Sequence, residues 1–126
     1  MRRAALCVVL LSLAGPAARG ETVVAKEQWV EGMKTGLPVV FCQEGFYFRT
    51  CFRISAEECE ETALSTTRVC LANFGDELPS VLLLPLEGQQ WGQKIGACAG
   101  STFELKWTER KVRSERCNDP SAWAGK

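Results

Sequence analysis

Seven cysteines and no histidine set the chemistry open to this chain. Cys7 lies in an apolar N-terminal stretch, and the others are Cys42, Cys51, Cys59, Cys70, Cys98 and Cys117. Six thiols spread through a short chain read as a disulfide framework, with fifteen pairings open in principle. A zinc site would need a Cys-x-x-Cys pair or histidine partners, and neither occurs. Without histidine there is no Ser–His or Cys–His pair to activate a nucleophile. Gly96-Ala97-Cys98-Ala99-Gly100 has the outline of a nucleophile elbow with cysteine in place of serine, but no strand pattern precedes it. Carboxylates that could do acid–base work cluster at Glu57, Glu58, Glu60 and Glu61, where a helix start is sufficient reason for them. The glycines of residues 88–100 lack the pattern of a phosphate-cradling loop. No catalytic residue, cofactor, cofactor-binding residue or metal ligand is expected, and the chain is not expected to be an enzyme.

The compartment follows from residues 1–20. Arg2 and Arg3 precede an apolar run over residues 4–14, and Ala18-Arg19-Gly20 supplies small residues for cleavage. This is the form of a secretory signal peptide, with an apolar run too short to span a membrane. Cleavage after Gly20 would remove Cys7 and leave six cysteines in a single disulfide-rich domain, residues 21–126. The expected location is exported, either periplasmic or extracellular. The whole chain balances 15 basic against 15 acidic residues, and loss of Arg2, Arg3 and Arg19 leaves a net charge of −3. Nothing in that balance suggests nucleic acid, and no membrane-spanning segment is expected. Lys106, Arg110, Lys111, Arg113 and Arg116 form a basic cluster, diluted by Glu109 and Glu115. Solvated helix faces account for it and for the acidic cluster.

Helices must position these groups. Trp91, Ile95, Cys98, Thr102 and Leu105 form a largely apolar stripe at helical spacing, which predicts a helix over residues 87–107. The same helix carries Gly88, Gly92, Gly96 and Gly100 at every fourth position. Four interior glycines cost about 3–4 kcal/mol relative to alanine. The row therefore reads as a surface where another helix backbone crosses closely, and these four are the expected helix-packing residues. Ser55-x-x-Glu58 is a capping box and predicts a helix over residues 56–74. A first helix is expected over residues 25–34, stopped by Gly36 and Pro38. A short helix is expected over residues 44–52, with the Phe46-Tyr47-Phe48 aromatics read mainly as core. Prolines at 79 and 85 bracket an apolar run over residues 78–86, read as a turn or 3₁₀ segment covering the core. Trp123 is expected to fold back onto the core near Cys117.

Helix geometry also bears on the pairing. Cys59 and Cys70 are eleven helical steps apart, about 16 Å along the axis, so they cannot bond each other. A hairpin turning at residues 53–55 would place Cys51 by Cys59 and Cys42 by Cys70, leaving Cys98 for Cys117. That nested ladder resembles, in geometry alone, the twin-cysteine helical hairpins. A rival scheme links Cys70 with Cys98 and Cys42 with Cys117. The expected fold is all-α: a small disulfide-stabilised helical domain of about four helices with a cross-linked helical hairpin. Two functions fit it. One is a protein-interaction module whose partner is another exported protein, in a binding, inhibitory or accessory role. The alternative is a carrier of a small apolar ligand or lipid. A continuous cavity along Leu82, Leu84, Ile95 and Phe103 would favour the carrier. A solid core with an exposed aromatic or charged patch would favour the module.

Overall fold

The computed structural model describes residues 21–124; the signal-peptide reading of residues 1–20 lies outside them. Strand β1 (Thr22–Ala25) leads directly into helix α1 (Lys26–Phe41). A single turn, α2 (Tyr47–Thr50), precedes α3 (Ala56–Asn73). Strand β2 (Val81–Leu84) then feeds α4 (Leu86–Trp107), and two 3₁₀ turns, Thr108–Arg110 and Pro120–Trp123, finish the described chain. The class is helical and disulfide-stabilised, with one small sheet as an addition.

Helix α3 is central, packing against both α1 and α4. Its start is the capping box: the Ser55 hydroxyl accepts from the Glu58 amide at 3.0 Å, and the Glu58 carboxylate accepts from the Ser55 amide at 3.4 Å. Such a cap contributes about 1 kcal/mol. The buried face of α3 is built from small residues, Cys59, Thr62, Ala63, Thr66, Thr67, Cys70 and Leu71. Burying hydroxyls requires partners. Thr66 and Thr67 donate to the Ala63 carbonyl at 3.2 and 2.6 Å. The Thr62 hydroxyl accepts from the Trp107 indole at 3.1 Å.

Helix α4 has the expected extent but uses a different face. Its buried stripe is Ile95, Ala99 and Phe103, at steps of four. The glycine row does not carry the helix crossing. A Cβ added at Gly92 or Gly96 would meet nothing within 4 Å. At Gly88 it would come 2.5 Å from Leu84 Cδ2 and 3.4 Å from Trp29 Nε1, and at Gly100 3.3 Å from Phe48 Cζ. The end glycines thus accommodate side chains, and the middle two flank the packed stripe. Gly96 follows Ile95 by one residue, which sets it about 100° around the helix from the buried stripe.

Three further expectations are corrected. Helix α1 does not stop near residue 34 but continues through Gly36 and Pro38 to Phe41, with Pro38 buried in its last turns. Burial of that apolar ring offsets the backbone hydrogen bond that proline cannot make. The segment over residues 44–52 is mostly loop, turned by Gly45 at φ 83°, with α2 as its only helical turn. The apolar run over residues 78–86 contains a strand. Its prolines lie outside the paired residues, where they cost no ladder hydrogen bond. β1 and β2 pair antiparallel, Val23 opposite Leu83 and Val24 opposite Leu82. Leu82 is fully buried on the inner side, while Val23, Val81 and Leu83 face outward.

The disulfides join Cys42 to Cys59, Cys51 to Cys117 and Cys70 to Cys98, with Cα separations of 5.8, 5.5 and 5.9 Å. The nested ladder is therefore incorrect, as is the Cys42–Cys117 half of its rival; the Cys70–Cys98 half is present. The cause is the length of α1. Cys42 is the C-cap of that helix and meets the first turn of α3, so Cys59 is already taken. Cys51 turns instead to the C-terminal segment. There the Arg53 amide donates to the Arg110 carbonyl at 2.9 Å, and the Val112 amide donates to the Cys51 carbonyl at 2.8 Å. The buried residues form two clusters. One contains Cys42, Cys51, Phe52, Cys59, Phe103, Cys117 and Trp123, and the other Cys70, Leu71, Ile95 and Ala99.

Candidate binding face

The first of those clusters carries the most chemistry. It is an aromatic stack, with Phe48 centroids 4.5 Å from both Phe41 and Phe103 and Tyr47 edge-on to Trp123 at 5.6 Å. Tyr47 and Phe48 are partly buried against the core, and both also line a groove. Trp123 folds back as expected. It is 7% exposed, and its indole N–H donates to the Arg116 carbonyl at 3.0 Å.

Cations cover this stack from outside. Lys106 and Arg110 each lie 5.1 Å from the Trp107 ring, Lys111 lies 5.9 Å from Tyr47, and Arg116 lies 4.0 Å from Trp123. Each such contact contributes about 0.5–1 kcal/mol at an exposed site. Among the described residues the ion pairs are Lys34–Glu31 at 2.8 Å and Arg110–Glu58 at 3.0 Å. Arg53, Lys106, Lys111, Arg113 and Arg116 therefore have no carboxylate partner among the described residues. Arg53, Lys111 and Arg113 converge with Thr108 and Val112 on a cleft of about 390 Å³, and Glu109 is its acidic member. The basic cluster legible in the sequence is thus assembled, with one addition. Arg53 is remote in sequence and arrives because Phe52 pairs with Lys111. No local pattern around Arg53 could have signalled that.

A neighbouring groove of about 370 Å³ is lined by Tyr47, Phe48, Glu104, Lys111, Cys117, Asn118, Pro120 and Trp123. Inside it the Tyr47 hydroxyl donates a short hydrogen bond to Glu104 Oε1. Burial, that hydrogen bond and the Glu104 charge all raise the Tyr47 pKa, so the phenol stays protonated well above its usual range. Arg49 lies close by. Its guanidinium donates to the Cys42 carbonyl at 3.3 Å, while its buried Nε has no partner.

The other expected site residues lie elsewhere. All six cysteines are consumed in the three disulfides. Of the acidic cluster, Glu58 caps α3 and pairs with Arg110, while Glu60 and Glu61 line a shallow cleft with Pro38, Val39 and Leu64. Of the residues expected to line a ligand cavity, Leu82, Ile95 and Phe103 are fully buried, and Ile95 and Phe103 belong to different clusters. No helix among the described residues is long and apolar enough to cross a membrane.

Residues 23–111 match the family described as T2SS substrate NttA. No curated protein and no solved structure matches the chain. The family and the three disulfides together identify an exported protein.

Proposed function

We propose a function from one premise, that the chain belongs to the family of the T2SS substrate NttA. The protein acts outside the cell, delivered by type II secretion, as a rigid interaction module for an acidic protein partner. The observation that carries this reading is the set of unpaired cations, with Arg53, Lys111 and Arg113 around one cleft and Lys106, Lys111 and Arg116 over aromatic rings. Arginine and aromatic groups are the residues that most often dominate interface energetics. Basic faces steer acidic partners and raise association rates. The disulfides hold the face in place before binding, which lowers the ordering cost. The reading involves no catalytic step. The carrier reading draws no support from Ile95 and Phe103, which pack in different clusters.

The test begins with the culture supernatant, where the protein is expected; retention in the periplasm overturns the extracellular placement. Wild-type protein from that fraction should capture an acidic protein in a salt-sensitive manner. The double variant Arg53→Glu, Arg113→Glu should weaken capture by at least tenfold, about 1.4 kcal/mol. Lys94→Glu, on the Trp91 surface of α4, should not. Equal capture by all three proteins overturns the reading. So does binding of the wild type to anionic vesicles with no acidic protein captured, because the face would then be a lipid-binding surface.

A further inference from the structure

The groove beside the basic cleft has a polarity of its own. Glu104 and Lys111 both line it, yet they do not pair with each other. Glu104 Oε1 is occupied by the Tyr47 hydroxyl, and Oε2 has no donor among the described residues. The Lys111 ammonium has no acceptor among the described residues and lies over the Tyr47 ring. The same groove has an aromatic wall formed by Tyr47 and Trp123. That wall is fixed. Trp123 is anchored through its indole, and the Cys51–Cys117 bridge ties the C-terminal wall to the core.

We propose that this groove binds a small zwitterion with an apolar or aromatic body, of the α-amino acid or short-peptide class. The ligand ammonium meets Glu104 Oε2, its carboxylate meets Lys111, and its apolar body lies on Tyr47 and Trp123. Charge complementarity selects this occupant, since a plain anion leaves Glu104 unmet and a plain cation leaves Lys111 unmet. Size agrees. At about 370 Å³ the groove is near the lower end of small-ligand sites, which span about 300–1,000 Å³. Charge-assisted hydrogen bonds to both ligand charges are the stronger kind and set orientation. The site is independent of the acidic-partner reading, although Lys111 lines both hollows.

The experiment titrates the mature protein with L-phenylalanine, with phenethylamine, which lacks the carboxylate, and with phenylpropanoate, which lacks the ammonium. Calorimetry gives the affinity, and nitrogen-edited NMR follows the Trp123 indole and the Asn118 side-chain amide. L-phenylalanine should shift both signals, and loss of either ligand charge should weaken binding by about tenfold. Glu104→Gln keeps an acceptor for Tyr47 and should weaken L-phenylalanine binding by a similar factor, without weakening capture of an acidic protein. Lys111→Met should abolish the preference for L-phenylalanine over phenethylamine. Phenylpropanoate binding as tightly as L-phenylalanine overturns the proposal, as does the absence of shifts at Trp123 on titration into the millimolar range.

Discussion

Tyr47 joins three features of one end of the molecule: it belongs to the aromatic stack, lies under Lys111 and donates to Glu104. Its raised pKa has a stability consequence whose sign can be worked out. The folded protein holds the phenolic proton more tightly than the unfolded chain, where tyrosine titrates near pH 10. The stabilisation is therefore fully present below that pH and is lost as the pH rises beyond it. In urea titrations the midpoint of the wild type should fall more steeply above pH 10 than that of Tyr47→Phe. Parallel curves would show that Tyr47 ionises no differently once folded. At this scale the sequence was partly legible. The aromatic cluster and the basic residues after Trp107 were visible as types. The meeting of Tyr47 with Glu104 and of Arg53 with Lys111 was not, because each depends on distant contacts such as the 57-residue step between Tyr47 and Glu104.

Elements with strong local signals were readable, and those decided by distant contacts were not. The Ser55–Glu58 box places the start of α3 because its reciprocal bonds are local. Strand β2 escaped detection because its partner, β1, is nearly sixty residues earlier, and neither strand shows clean alternation of polar and apolar residues. Helix α1 ran past its apparent stop because Pro38 is buried. The glycines of α4 now allow a graded test. Gly96→Ala gains helix propensity against open space and should stabilise the protein by up to about 1 kcal/mol. At Gly88 the same change must displace Leu84, and at Gly100 it presses on Phe48 within the aromatic stack. Both should stabilise less than Gly96→Ala, and Gly100→Ala should be neutral or destabilising, since overpacking costs about 1–3 kcal/mol. Equal gains at all three positions in thermal melts would mean that the contacts at Leu84 and Phe48 give way freely.

Across the whole molecule, the disulfides support a core of modest size. In the chain-entropy account, closing loops of 17, 28 and 66 residues contributes about 3, 3.5 and 4 kcal/mol respectively. The cysteine count and the absence of histidine made a framework legible, and the α3 geometry excluded Cys59–Cys70. The true pairing depended on where α1 ends, which local sequence did not reveal.

The order of those bridges along the chain determines how it comes apart. Cys42–Cys59 and Cys51–Cys117 interleave, so their rings overlap between residues 51 and 59. Every peptide bond from residue 42 to residue 117 therefore lies inside at least one covalent ring. A protease that cuts once anywhere in that span opens a ring without dividing the molecule. On a non-reducing gel the nicked protein should run as a single species, one water heavier by mass spectrometry, separating into two fragments only after reduction. Release of a fragment without reduction, from one cut within that span, would contradict the interleaved connectivity. Single cuts can free only the segment before Cys42, with β1 and α1, or the tail beyond Cys117 that bears Trp123. For an exported protein, a single cleavage within the span leaves the chain in one covalent piece.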